Sequence, residues 1–454
     1  MALWNLPHAF ATLSGNQPAS KLDDNFDALA ITPQYAIAAS GTNAIAITVP
    51  IPFTAYAIGM MFTCIAPATN TSGTVTLNVN SVGAVTVVKD NNNSLDLGDI
   101  VGGSAVSFYY DGLKFHLLAH RSINVSLGNR IINGAFQLDQ RNGGTALTIT
   151  PSNVYSLDRW AVSGAAGVTG CDVQRVFTAV PTPSGEAYLI RLRRLSGTYN
   201  NIIQIAQAIE TINCYDLAGQ AVTLSFWARA GSAYSGTSSQ MRANIRSGTA
   251  ENEGVNGLTA GTWTGYVQDA TADFTLTTGW QRFSLTTTIQ SGALEVGVML
   301  LTRNFSGTGS SNDFIDIAGV QLELGASASL FDRRLFTQEQ LLCQRYLPAV
   351  PPAGGSIIGV GQSFASNTAD VFVPFAVFPR VIPTGITVVS PTNFTLTGPL
   401  GGVINAATVA FFEGGFTGSR VRVTVASGLT AAGDAVLFRE ANIACRLFFT
   451  GCEL

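Results

Sequence analysis

Val222-Thr223-Leu224-Ser225-Phe226-Trp227-Ala228-Arg229-Ala230 reads as a central β-strand, rich in the β-branched and aromatic residues that suit a pleated, buried surface. Working outward, similar runs lie on both sides of it. Upstream come Asn129-Arg130-Ile131-Ile132-Asn133-Gly134-Ala135-Phe136, the turn Asn142-Gly143-Gly144, and Leu157-Asp158-Arg159-Trp160. Downstream come Gly279-Trp280-Gln281-Arg282-Phe283 and Asp313-Phe314-Ile315-Asp316-Ile317-Ala318-Gly319-Val320-Gln321-Leu322-Glu323. Strand-length runs about every 8–12 residues argue a two-sheet sandwich over residues 123–335.

Composition supports a mainly β chain built from several domains. The 454 residues are 46% hydrophobic but only 11% charged, less than half the usual ~25%. The 47 glycines fit short strands joined by tight turns. A net charge of −4 with scattered basic residues gives no field for nucleic acid, and Arg191-Leu192-Arg193-Arg194 reads as a polar strand face. Cys64, Cys171, Cys214, Cys343, Cys445 and Cys452 stand singly, without a C-x-x-C, and read as free thiols of a chain made in a reducing cytoplasm. Residues 31–88 lack any charge, yet Pro50, Pro52 and Pro67 interrupt the apolar stretch, so strands rather than a membrane insertion are expected.

Two short helices punctuate the strands. Ser20-Lys21-Leu22-Asp23 resembles a capping box, and Leu22, Phe26 and Leu29 follow at helical spacing, predicting a helix over Lys21–Ala30 after an extended arm. Thr337 with Gln340 predicts a second over Thr337–Tyr346, ended by Pro348, before a Pro/Gly linker at residues 351–355. Between the helices, Phe108-Tyr109-Tyr110-Asp111-Gly112-Leu113-Lys114-Phe115 is a hairpin with a two-residue Asp-Gly turn. The expected units are an arm and helix at 1–33, a small β module at 34–122, the sandwich at 123–335, a helix and linker at 336–350, and a β domain at 351–454.

The ordered series Tyr56-x-x-Gly59, Asn70-Thr71-x-Gly73, Thr76-Leu77-Asn78-Val79, Leu97-Gly98-Asp99-Ile100-Val101-x-Gly103 and Tyr110-Asp111-Gly112-x-x-Phe115 resembles a small β module recurring in bacteriophage tail fibres. The series from Asn129 to Glu323 resembles the jelly-roll carbohydrate-binding modules attached to glycoside hydrolases, and jelly rolls of phage tail proteins. Glu339-x-x-x-Cys343-Gln344-Arg345-Tyr346 resembles a string that follows such jelly rolls in fibre-like proteins, and the segment after it is similar to their distal domains. The resemblance implies a virion protein that forms homotrimers. Its N-terminal arm, through Trp4, Leu22, Phe26 and Leu29, would dock on another virion or tail protein. The uncharged run Val371–Phe375 is compatible with threefold packing.

No catalytic constellation is visible. The three histidines, His8, His116 and His120, lack a positioned partner, and no phosphate loop or nucleophile elbow occurs. No two carboxylates stand out as a glycosidase pair. Asp313 and Asp316 flank a strand on opposite faces, and either could help hold a structural Ca²⁺, which the resembled modules often carry; no other cofactor is expected. For sugar, Trp227 and Trp280 read as core, whereas Trp263 and Tyr266 sit in Gly/Thr-rich sequence expected at the surface. With Tyr234, these two are the candidate ligand-binding residues. The expected role is a non-enzymatic, fibre-like virion protein contributing to recognition of a bacterial surface glycan. The alternatives are a purely structural appendage, connector or head fibre, and a polysaccharide depolymerase.

Overall fold

The computed structural model describes residues 34–89, 92–95, 98–118, 128–350, 355–398, 402–429, 433–441 and 445–454. The expected helix Lys21–Ala30, with Trp4, Leu22, Phe26 and Leu29, lies outside the described residues. Contacts divide the chain into two bodies, Met1–Ser126 and Leu127–Leu454.

In the first body alternating residues face one core: Ile45 and Ile47, Phe62 and Cys64, Val75, Leu77 and Val79, Phe108 and Phe115. Its strands are β1 (Gln34–Tyr35), β2 (Ala38–Ser40), β3 (Ala44–Thr48), β4 (Met61–Ile65), β5 (Val75–Val79), β6 (Ala84–Val88), β7 (Ala105–Tyr110) and β8 (Phe115–Leu117). They form one sheet in the order β1-β4-β7-β8-β6-β5-β3-β2. Asn70 is buried and pins two loops, its side chain donating to Ser72 O and accepting from the Ile100 N–H, both at 2.9 Å. The Asp-Gly hairpin is present with a longer turn than the two residues expected. Tyr110 pairs with Phe115, and residues 111–114 close the gap. The reason is the Asp111 carboxylate, which accepts from the N–H groups of Leu113 and Lys114, each at 2.7 Å, and lies 2.7 Å from His116 Nε2. These bonds, led by that of Lys114, hold the Asp111 carboxyl down at about 2.

The second body begins with a β-sandwich. Its strands are β9 (Leu147–Thr148), β10 (Val154–Tyr155), β11 (Ala161–Gly164), β12 (Cys171–Phe177), β13 (Tyr188–Arg194), β14 (Ile203–Ile209), β15 (Ala221–Ala230), β16 (Gln240–Gly248), β17 (Val267–Thr275), β18 (Gln281–Thr288), β19 (Glu295–Thr302) and β20 (Phe314–Leu324). Sheet one runs β10-β11-β14-β19-β16-β17 and sheet two runs β18-β15-β20-β13-β12-β9. Between them lies the largest core, with Leu224, Phe226, Ile205, Val298, Leu300, Ile317 and the fully buried Trp160.

A short helix, α1 (Val255–Ala260), interrupts the strands of sheet one, and α2 (Phe336–Gln344) follows the sandwich. The second helix starts one residue before the expected Thr337. Gln338 Oε1 accepts from the Leu335 N–H at 3.3 Å, so Thr337 lies inside the first turn instead of capping it. Beyond it come β21 (Ala349–Val350), β22 (Ile357–Ala365), β23 (Thr368–Pro374), β24 (Gly385–Val389), β25 (Phe394–Thr397), β26 (Val403–Glu413), β27 (Gly418–Val425), β28 (Ala435–Glu440) and β29 (Arg446–Thr450). Six of these close into a barrel, β22-β23-β27-β26-β25-β28, and the other three pair as β21-β29-β24. Val371 and Val373 point into the barrel core, leaving Phe372 as the exposed large apolar side chain of the run thought compatible with threefold packing. All six cysteines are buried thiols. Among the described residues no helix is long and apolar enough to cross a membrane.

Candidate functional site

Three motifs that stand far apart in the sequence meet at one buried seam on the outer face of sheet one. Asn133 takes φ +58 and places its side-chain amide against Leu138 O and Asp158 O, at 2.8 and 3.0 Å. Its N–H donates to Glu339 of α2, and its carbonyl accepts from the Trp160 indole at 3.0 Å. The Arg159 guanidinium lies 3.7 Å from the centroid of the Tyr346 ring and donates to Glu453 at 2.6 Å. Arg141 bonds the other Glu453 oxygen at 2.8 Å, while Arg380 donates to the carbonyls of Cys452 and Glu453 at 2.9 and 2.8 Å. Arg345 and Tyr346 both donate to Glu210. Burial pushes the Glu210 carboxyl up, but these donors prevail and hold it below its ordinary value. Apolar cover comes from Leu258, Trp263, Cys343 and Leu454. These motifs therefore join α2 and the C-terminal strands to the sandwich. Every strong charge in the seam is spent on another part of the same chain.

The residues proposed as ligands fall differently from expectation. Trp263 is buried, 3% exposed, with its indole N–H on Gly254 O at 3.0 Å. Tyr234 is buried, its hydroxyl donating to Gln240 O at 2.8 Å. Neither offers a ring face to solvent, because α1 covers the first and the core holds the second. Tyr266 is half-buried, under the Arg246 guanidinium at 5.4 Å. Trp227 and Trp280, expected in the core, are instead half-exposed on the outer face of sheet two. Asp313 and Asp316 serve arginines. The Asp313 carboxylate accepts from Arg194 Nε, Ser235 N–H and Ser235 Oγ at 2.8, 3.0 and 2.8 Å. Asp316 takes a bidentate pair from Arg191, at 2.7 and 2.9 Å, and a further bond from Arg229 at 3.0 Å. With guanidinium donors on these oxygens the two sites do not fit Ca²⁺, which needs several free oxygen ligands. Among the described residues no group of three or more metal-ligating side chains comes together. Arg194, read as part of a polar strand face, is fully buried over Asp313, whereas Arg191 and Arg193 do face outward.

At one end of the outer face of sheet one, beside the seam, lies an open groove of about 420 Å³. Pro151, Ser152 and Asn153 before β10, Ser163 on β11, Gln204 on β14, and Asn256 and Thr259 on α1 line it. No lining residue is ionisable. Register places Gln204 opposite Ser163, and its amide donates to Ser163 Oγ at 3.0 Å. Asn153 donates to Asn256 Oδ1 and Thr259 Oγ1 at 2.9 and 2.7 Å, which leaves its own Oδ1 without a partner. Hydroxyls and amides both give and accept hydrogen bonds, the pattern that matches a neutral polyol. No motif announced this groove, since its walls come from residues 151–260 on three elements and a loop.

A second hollow of about 390 Å³ separates α2 from the barrel and is mostly apolar, with Leu341, Pro348, Ile358, Pro374 and Phe375 in its wall. Near the other end of α1, Glu253 and Glu295 approach each other. Glu295 is buried, accepts from the Glu253 N–H at 2.7 Å, and has no partner for Oε1. Burial, reinforced by the Glu253 carboxyl, pushes the Glu295 carboxyl up to about 8.

No family model matches the chain, and no curated protein matches it in sequence. Similar solved structures include the enzymatically active domain of bacteriophage CBA120 tailspike protein 4. It is 14% identical with a TM-score of 0.30, over 58% of this chain and 29% of that one. TmCBM61, solved in complex with β-1,4-galactotriose, is 15% identical with a TM-score of 0.25, over 43% of this chain and 99% of its own. A CBM4 structure is 19% identical with a TM-score of 0.25, over 42% and 98%. Likenesses of this size leave the family open.

Proposed function

We propose that the chain is a non-enzymatic, fibre-like phage virion protein that binds a neutral surface glycan in the groove between α1 and sheet one. One observation carries the ligand class: a groove of about 420 Å³ lined by amides and hydroxyls without an ionisable group. The ordered motifs of the sequence support the virion setting, with homotrimeric assembly and docking through residues 1–33. Weak sites repeated on one particle would act together by multivalency. The test is calorimetric titration of the intact chain with neutral gluco-, galacto- and manno-oligosaccharides, beside Gln204→Ala and Asn153→Ala. Each variant is expected to lose about tenfold in affinity, the worth of one or two good hydrogen bonds. Absence of binding by the native chain across the panel would refute the ligand class. A second reading, a purely structural appendage, is favoured by the use of the recurring motifs in the seam around Asn133 and Glu453. Cryo-electron microscopy of the particle separates the two, since an adhesin must hold the groove in solvent.

A further inference from the structure

The outer face of sheet two is covered over only half its height. Residues 326–335 cross the lower half, where Ser329 bonds Glu323 and Gln321 and the Asp332 N–H donates to Gln321, all within 3.0 Å. Gln321 and Glu323 are consequently fully buried. The upper half stays open, with Arg229 34% exposed at its side chain.

Strand register arranges that open half as a checkerboard. Trp227 on β15 lies opposite Arg282 on β18, whose guanidinium donates to Ser329 O and so marks the edge of the covering segment. Two residues along β15, Arg229 lies beside Trp280, which immediately precedes β18, with the Arg229 guanidinium 4.9 Å from the indole centroid. Across β20, Arg229 faces Asp316, which in turn faces Arg191 on β13. The Arg191 guanidinium also lies 3.7 Å over the Phe314 ring. Two guanidinium groups thus share one carboxylate, a local surplus of one positive charge in a chain whose net charge is −4. The adjacent Arg193 is neutralised by Asp172 at 2.6 Å. Asp316 engages Nε and Nη2 of both Arg191 and Arg229 and leaves Nη1 of each outside the pair; the Arg229 guanidinium, 34% exposed, lies beside the Trp280 indole, and that of Arg191, 20% exposed, lies over the Phe314 ring.

We infer that this face is a second binding site, for a saccharide bearing a carboxylate. A pyranose ring would lie on Trp280 or Trp227, and its carboxylate would take the outer N–H edges of Arg229 and Arg191. Charge complementarity selects this occupant, because a neutral sugar would leave the surplus positive charge unanswered. The site is separate from the neutral groove and does not rest on it.

The test titrates the intact chain with oligogalacturonate and with a matched neutral galacto-oligosaccharide, following tryptophan fluorescence and heat. Oligogalacturonate is expected to bind, more weakly as salt is raised, with about a tenfold loss in Trp280→Ala and in Arg229→Gln. Gln204→Ala should leave this binding unchanged, which separates its fate from that of the neutral groove. Arg229→Gln keeps the bidentate Arg191–Asp316 pair and so preserves the sheet, with circular dichroism as the check. The inference is overturned if oligogalacturonate does not bind, or if polyglutamate binds equally well and marks a mere polyanion surface. It is also overturned if Trp280→Ala abolishes concentration-dependent self-association instead, which would make the face a contact between copies.

Discussion

On the outer face of sheet one, Trp263, Arg159 and Glu453 are sealed beneath α1, α2 and the strands that follow. On the outer face of sheet two, Trp280, Arg229 and Asp316 use the same chemistry, an indole, a guanidinium and a carboxylate, and the first two stay half-open to water. The contrast shows that residue type does not decide between seam and site. Cover decides it. Where a neighbouring segment supplies the partner the charges become structural, and where none arrives they remain available. A buried charge deprived of its partner is costly, while an exposed one is nearly indifferent, so the two faces should answer mutation very differently.

The largest expected effect tests the tryptophans. Trp263→Ala removes a buried ring and should cost about 3–5 kcal/mol in denaturant unfolding, against roughly 1 kcal/mol for Trp280→Ala. Equal costs would erase the distinction between the faces. Next comes Glu295, at the edge of the sealed face. Its carboxyl titrates at about 8 in the fold against an ordinary 4.5, so the folded state holds its proton more tightly. That contribution is fully present below about pH 4.5, diminishes as pH rises, and is gone above about 8. Glu295→Gln should flatten the decline in urea midpoint across this window and stabilise the chain at its alkaline end. A native midpoint independent of pH there would contradict the buried carboxyl. The smallest effect is at Arg229→Gln, under about 1 kcal/mol, because Arg191 retains both Asp316 oxygens. A cost of several kcal/mol would mean that this arginine belongs to the seam class.

The sandwich was legible because its strands repeat at short intervals and carry β-branched and aromatic residues. Helix α2 was legible for its turn residues, Pro348 and the run between. Helix α1 was not. Six residues with Gly257 inside them give neither propensity nor period, yet this helix buries Trp263 and forms a wall of the groove. The groove was invisible for the same reason, being built from three elements and a loop rather than a motif. The checkerboard does have a sequence signal: Trp227-Ala228-Arg229 in β15 and Trp280-Gln281-Arg282 at the start of β18 repeat the same spacing, which places all four side chains on one face. Burial of Asp313 and Arg194 follows from pairing across 119 positions, and no local pattern encodes it.

The Glu453 clamp has a consequence in time. Its carboxylate bonds residues 312 and 294 positions earlier in the chain. During synthesis the sandwich strands and both helices are made before that partner exists, so Arg159 waits without its carboxylate while the barrel is still being translated. Such long-range closure is slow, and a surface left waiting is a hazard for misassembly. The last part of the sheet-one cover, Leu454 with the Glu453 carboxylate, therefore comes from residues that follow the barrel strands in the chain.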